Sequence, residues 1–354
     1  MRPLLADTFL GVHAAYWNIL VLKLLLGLAL ALTGAGAFVQ VYLFKMVSHL
    51  QSRLGPMESG PHGSLQLMAE VLKFLQKEDV FPERADRWVF AGAPFVVIMS
   101  TLLVYVVIPI GPRVVASNLD VGILYALAVS SISVIAVPMA GRASANKYSL
   151  IGGLRAAGQL IAYELPLVLA VVGVVMQAGS LNLQQIVASQ ARFKLFGFQG
   201  AGLFAIPQLA GFFIFMVSAQ AELTQTPFDM PIAESELVAG YMTEYTGLRF
   251  LIFFIGEFAT AFALAGLGAV LFLGGWWFPG MGAHWGHLAW AREVVGPAVM
   301  FAKVMVLGFV IFWVRFTLPR FREDQLQGFA WKFLIPLALA DILITGVAKV
   351  AVHA

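Results

Sequence analysis

Seven carboxylates in this chain stand where ordinary solvation does not explain them. Residues 222–249 carry Glu222, Asp229, Glu234, Glu236 and Glu244 against a single base, Arg249. The same stretch holds Pro227, Phe228, Leu237, Val238, Tyr241 and Tyr245, an apolar content foreign to a freely hydrated loop, so a folded, partly buried segment is expected. Carboxylates packed together away from water resist ionisation, through desolvation and through one another's charge, and they titrate as a coupled set. The chemistry open to such groups is the uptake and transfer of protons. Two further acids, Glu164 (preceded by Tyr163) and Glu257, fall within strongly apolar stretches. A charged carboxylate there costs on the order of 2.5–3.5 kcal/mol, so it faces the bundle interior or a wet cavity. A neutral Glu bonded to a neighbouring helix is the plain alternative. Lys303 and Asp341 are also embedded in apolar sequence. Lys303 either neutralises an acid or snorkels, and Lys23, nearer the end of its stretch, snorkels.

The elements that must position these groups are membrane helices. The 354 residues are 60% hydrophobic and 12% charged, against roughly 25% charged in soluble domains. Apolar stretches of the length that crosses a core of about 30 Å recur at 17–44, 88–110, 121–141, 157–178, 201–221, 250–275, 294–314 and 331–352. The expected fold is therefore an all-α membrane protein of eight transmembrane helices. It forms a single integral membrane domain over residues 1–354, with loops 45–87, 142–156, 222–249 and 315–332 on the inner side. Around Gly34–Ala37 the first span resembles a signal cleavage site, but its apolar run continues to Phe44, too long for a signal. Of the 22 Lys and Arg, Arg2, Arg113, Arg192, Lys194, Arg292 and Lys349 lie on one side, Lys23 and Lys303 within spans, and the other 14 on the opposite side. By the positive-inside rule both termini then lie outside. Residues 64–77 place Leu65, Met68, Val71, Leu72 and Leu75 on one helical face, with Glu70, Lys73 and Lys77 on the other. Such a helix either lies in the headgroup region or closes the loop as a surface helix.

The absence of cysteine removes disulfides, thiolate-bound zinc and iron–sulfur clusters. None of the six histidines falls within an expected span, which argues against paired haem ligands. His284 and His287 are spaced as a metal could use, but two ligands fall short of the usual three or four. There is no phosphate-binding loop, dinucleotide fingerprint or nucleophile triad. The basic loop residues are explained by topology rather than by nucleic acid.

The segment ELTQTPFDMPIAESELVAGYMTEY at 222–245 closely resembles the H subunit of bacterial complex I, the counterpart of mitochondrial subunit 1. The likeness continues in RLGPMESGP (53–61), KED (77–79), NLDVGILY (118–125), NKYSLIGGLRA (146–156), AYELPL (162–167), LFLGGW (271–276) and PRFREDQLQGFAWKFLIP (319–336). It touches every inner loop and covers most of the chain. The resemblance implies eight spans, an outward N-terminus and an interfacial amphipathic helix after the first span, in the bacterial plasma (inner) membrane. It implies a subunit joining the membrane arm to the hydrophilic arm of an NADH:quinone oxidoreductase, with quinone as substrate and no cofactor bound covalently. Flavin and iron–sulfur clusters are expected only in partners. Those partners are the hydrophilic-arm subunits with the terminal cluster and the quinone-site large subunit, small membrane subunits, antiporter-like subunits, and membrane lipids. By the same resemblance Glu164, Glu222, Glu234, Glu236 and Glu257 match acids that link quinone chemistry to proton movement. Asp229 and Glu244 match acids of the same loop, Lys147 and Arg155 bases of the third inner loop, and Arg53, Glu70 and Lys73 the region of the tunnel mouth. Lys303 also has a counterpart.

Several positions depart from that pattern. Leu43 and Phe44 stand where the family carries a glutamate followed by a base, and Ser131 stands where a third-span glutamate is usual. Met57-Glu58 replaces Asn-Arg, Gln225 replaces a base, and Ile232 replaces an acid. A hydroxyl such as that of Ser131 can bridge a gap by donating and accepting, but it cannot store a proton as a carboxylate does. The resemblance implies that electrons arrive through partner subunits from NADH or another low-potential donor such as ferredoxin. Two alternatives remain open: an equivalent subunit of a membrane-bound hydrogenase or ferredoxin-linked dehydrogenase, and a non-conducting anchoring scaffold. A stand-alone ion transporter is disfavoured, since there is no internal repeat and no pair of broken helices.

Overall fold

Backbone groups in a bilayer core have no water to bond, so long apolar stretches close their hydrogen bonds internally as helices. The structure, a computed structural model, describes residues 6–9, 12–195, 198–199, 203–232, 234–278 and 289–353. The first helix, α1 (Tyr16–Phe38), runs on through a π-helical stretch Val39–Met46 and a last turn Val47–Leu50. It is followed by α2 (Gln66–Gln76), α3 (Arg87–Tyr105), α4 (Gly122–Ala143, interrupted at Ser131), α5 (Lys147–Ala178) and α6 (Leu183–Arg192). Then come α7 (Leu209–Glu222), α8 (Gly247–Phe272), α9 (Ala289–Thr317), α10 (Glu323–Phe329) and α11 (Ile335–His353), the last two continuous through π-helical Ala330–Leu334. Outside the helices lie two short antiparallel hairpins, Ala6–Phe9 with Val12–Ala15 and Lys194–Leu195 with Phe198–Gln199.

Among the described residues seven helices are long and apolar enough to span a membrane, and α7 is a shorter apolar one. The chain is a multi-pass membrane protein. At 1.5 Å per residue, the 14 residues of α7 reach about 21 Å, less than a full crossing. The stretch expected at 201–221 begins late because Leu203–Gln208 forms turns anchored to the end of α8 by buried Phe204, with Ile206 and Pro207 exposed. There Gln190 donates to the carbonyls of Val270 and Leu271 and accepts the Phe204 N–H. Irregular backbone is tolerated at membrane depth when protein covers it in this way. A second boundary also moves. Helix α5 starts at Lys147 rather than 157, because Asn146 caps it by accepting the Tyr148 N–H at 2.9 Å. The connection expected at 142–156 therefore shrinks to three residues, and Lys147 and Arg155 stand on a helix. Likewise α9 reaches Thr317 and α10 begins at Glu323, so little of 315–332 is loop.

Long helices meet at one aromatic seam. Phe38 and Tyr42 of the first helix, Phe258 and Phe262 of α8 and Phe312 of α9 stack or meet edge to face, with ring centroids 5.2–5.8 Å apart. Packing of this kind, rather than the hydrophobic effect, joins helices in lipid. At the end of the bundle where α3, α5, α8 and α10 begin, the connecting segments fold over one another. Asp86 N–H bonds the Ala143 carbonyl, the Thr246 hydroxyl bonds the backbone of Glu78 and Val80, and Phe321 N–H bonds the Pro227 carbonyl.

Candidate functional site

Most of the described residues of the acidic segment 222–246 are packed rather than splayed, Glu236 and Val238 being exposed. Gln225 is 2% exposed, Phe228 3% and Tyr245 4%, and Met230, Leu237, Tyr241 and Met242 are buried with them. Three devices hold it. The Gln159 side-chain amide of α5 donates to the carbonyls of Ala221 and Phe228, both at 2.7 Å. Tyr245 stacks on Phe90 with centroids 4.1 Å apart and donates to the Phe90 carbonyl. Gly152 and Gly240 let the segment touch the helix, since a methyl group on Gly152 would come within 2.8 Å of the Gly240 Cα and the Pro231 carbonyl. Gly240 itself has φ +54°, a left-handed conformation that favours glycine.

Around this segment the acids fall into three groups. In the first, the Glu164 carboxylate lies near Ser131, whose hydroxyl donates to the Ala128 carbonyl at 2.9 Å, and close enough to Glu222 for the two charges to interact. Ser131 stands where the third-span glutamate is absent, with its hydroxyl turned back to its own helix. In the second, Gln225 bridges a base and an acid: Arg315 donates to its side-chain oxygen, and its amide nitrogen donates to Glu257. Asp229 lies within electrostatic reach of Glu257, and both act on Tyr241. Burial first, then those two carboxylates, hold the Tyr241 phenol proton well above the ordinary tyrosine range. In the third, Glu236 pairs with Arg155 at 2.6 Å and with Arg320 at 3.4 Å, and Arg155 reaches Glu323 at 3.6 Å. The Arg155 hydrogen bond and the Arg320 charge hold the Glu236 carboxyl below the usual glutamate range.

The remaining expected residues divide. Glu244 accepts from the Asn146 amide at 2.6 Å and shares an open hollow with Lys147. Glu70 lines an apolar cavity of about 520 Å³ enclosed by the first helix, α2 and α8, with Val39, Leu43, Phe74, Phe250 and Phe258 among its walls. Met68, Glu70 and Val71 line the cavity, while Leu65, Leu72 and Leu75 lie on the exposed apolar side expected of this helix. Leu43, in place of the expected glutamate, makes that wall more apolar. Arg53 and Lys73 are exposed and do not line the cavity. The Glu234 side chain lies outside the described residues, as do His284 and His287. Among the described residues no three His, Cys, Asp or Glu are grouped to hold a metal.

Lys303 is held by backbone carbonyls rather than by an acid. Its ammonium donates to the carbonyls of Leu273, Gly275 and Trp277, capping the chain where α8 ends, at 2.5–2.8 Å. Asp341 is buried beside the Gln208 side chain and the helix surfaces at Gly173 and Gly211. Sequence reasoning missed Arg315 and Arg320, whose only visible role was topological. Their partners Gln225 and Glu236 are 90 and 84 residues away, beyond any local pattern. The arrangement amounts to proton-exchanging groups joined by amides and hydroxyls, beside an apolar cavity that opens between helices.

The family model described as NADH dehydrogenase matches residues 22–346. A protein of Syntrophobacter fumaroxidans, named as the second H subunit of an NADH-quinone oxidoreductase, is 44% identical over 338 residues, 93% of this chain and 95% of its own length. Proteins of Brevibacillus brevis and Bacillus mycoides, each named as the H subunit of NADH-quinone oxidoreductase, are 42% and 45% identical. They cover 94% and 86% of this chain and 93% and 86% of their own lengths. Matched from near its first helix to near its last, the chain belongs to the NADH dehydrogenase family of membrane subunits, alongside relatives named as H subunits of NADH-quinone oxidoreductase.

Proposed function

We propose that this chain is the quinone-site membrane subunit of a proton-translocating NADH:quinone oxidoreductase. The observation that carries the reading is the apolar cavity between the first helix, α2 and α8, which adjoins the helix bearing Glu257. A cavity lined by Leu43, Phe74, Phe250 and Phe258 suits an isoprenoid tail entering from lipid. The chain sits in the bacterial inner membrane with both termini outside, in one membrane domain. Segments 45–87, 142–156, 222–249 and 315–332 face the hydrophilic-arm subunits that carry the terminal iron–sulfur cluster and the quinone-site large subunit. Electrons reach the quinone from those partners. Reduction of the quinone changes the charge beside the acidic segment, and Glu164, Glu222, Glu234, Glu236 and Glu257 relay that change toward small membrane and antiporter-like subunits. Arg53, Lys73, Lys147, Asp229 and Glu244 shape the interface and Glu70 the entrance.

One departure from the family pattern fits this scheme by substitution. Arg315 through Gln225 stands in for the base absent at 225, while Ser131 lies near Glu164 without a carboxylate of its own. Leu43 and Ile232 have no substitute carboxylate in the contacts described. The test is Glu164→Gln and Glu222→Gln in assembled enzyme. Both are expected to lower coupled quinone reductase activity while electron entry into soluble acceptors persists. Full turnover with intact pumping in both variants removes these acids from the mechanism.

A further inference from the structure

A groove of about 700 Å³ lies away from the acidic segment, between the start of α3, the end of α4 and the first half of α5. Its walls are aliphatic, among them Val134, Ile135, Pro138, Met139 and Ile161, and its mouth carries Arg84 and Arg142. Ile135 and Ile161 are 61% and 60% exposed on the outer surface of the bundle. The two arginines are exposed, and neither has an ion pair or side-chain hydrogen bond among the described residues. The groove's carboxylate, Asp86, is directed at the N-terminus of α3, where it accepts the Val89 N–H.

Depth fixes what such a groove meets. Arg142 stands in the last turn of the apolar stretch Gly122–Ala143, and Arg84 just precedes the stretch Arg87–Tyr105, so both guanidinium groups lie at a membrane boundary. Trp88, 90% exposed in the first turn of α3, marks that level independently, because exposed Trp collects at headgroup depth. The aliphatic walls run from there along α4 and α5 into the hydrocarbon region. An apolar trough closed at headgroup level by two unpaired guanidinium groups matches one kind of molecule: an acyl chain joined to an anionic phosphate. Guanidinium groups bind phosphate with paired, geometrically matched N–H donors, and basic pockets between membrane helices hold anionic headgroups.

We propose that this groove is a binding site for one anionic phospholipid, its phosphate between Arg84 and Arg142 and one acyl chain along Val134, Ile135 and Ile161. The inference does not rest on the quinone reading, since none of these residues belongs to the acid groups or the cavity of α1, α2 and α8.

The test uses the assembled enzyme containing this chain, purified in mild detergent with its lipids counted by mass spectrometry. Arg84→Gln with Arg142→Gln is expected to lose about one bound phosphatidylglycerol or cardiolipin per enzyme, with bound zwitterionic lipid unchanged. Ile135→Trp, which fills the trough but keeps both arginines, is expected to lose the same lipid. Adding vesicles of phosphatidylglycerol to delipidated wild-type enzyme is expected to restore the count, and vesicles of phosphatidylcholine are not. Unchanged anionic lipid in both variants overturns the proposal. So does a photo-crosslinker at position 135 that captures a protein subunit instead of lipid.

Discussion

Replacing Gln225 with Leu keeps the volume of a nearly fully buried side chain and removes the one neutral group that joins Arg315 to Glu257. Each lost bond is made to a charged group, and such bonds contribute about 1.5–3 kcal/mol apiece. The pair therefore amounts to roughly 3–6 kcal/mol before relaxation. If about 1.4 kcal/mol of that is felt in the rate-limiting step, turnover falls about tenfold. The assay is NADH:quinone reductase and proton uptake in inverted vesicles, with NADH oxidation by a soluble acceptor as the control for assembly. Quinone turnover is expected to fall tenfold or more while the control holds. Combined with Arg315→Gln, the effects are expected to be non-additive by about 1 kcal/mol or more, because both changes break one bridge. Wild-type turnover and proton yield in Gln225→Leu, or strict additivity in the pair, would refute the reasoning that Gln225 couples the two charges.

Other consequences follow from the same contacts. Gly240→Ala forces a left-handed residue and drives its Cβ into the Pro231 carbonyl, a cost above about 2 kcal/mol. Quinone reductase is expected to collapse, with hydrogen exchange across 231–245 rising. Glu236 titrates below the ordinary glutamate value, so its link to Arg155 and Arg320 is complete at neutral pH and loosens only as pH falls below about 4. Hydrogen exchange at 234–240 and 318–323 is expected to rise in that acid range in the wild type and to lose this dependence in Glu236→Gln. Lys303→Met leaves the carbonyls of Leu273, Gly275 and Trp277 without their ammonium partner. The expected result is a lower melting temperature with quinone turnover affected less than in Gln225→Leu.

What the sequence made legible were the features that repeat or cluster locally. Long apolar runs placed the helices, and a five-acid segment full of aromatic and aliphatic residues announced a packed loop. Even there, boundaries moved where a single side chain decided them: Asn146 caps α5 ten residues before its apolar run begins, and Gln190 ties down the turns that shorten α7. The bridges were not legible. Gln225 looked like the loss of a base until Arg315, 90 residues on, proved to supply the charge from another helix. Lys303 looked like a counter-ion because charge within a span suggests charge pairing, yet backbone carbonyls at the end of α8 satisfy it equally well. Glu70 illustrates the same limit on a short helix. Its polar neighbours Lys73 and Lys77 suggested a solvent face, but it lines the cavity together with Phe250 and the first helix.

The central claim is that quinone approaches the acidic segment through the space between the first helix, α2 and α8. Electron cryo-microscopy of the assembled enzyme with a long-tailed quinone bound tests it directly. Density for the tail is expected between Leu43, Phe74 and Phe250, with the headgroup directed toward Glu257 and the 222–245 segment. A quinone seated elsewhere, with this cavity occupied by a partner's side chains, would contradict the account.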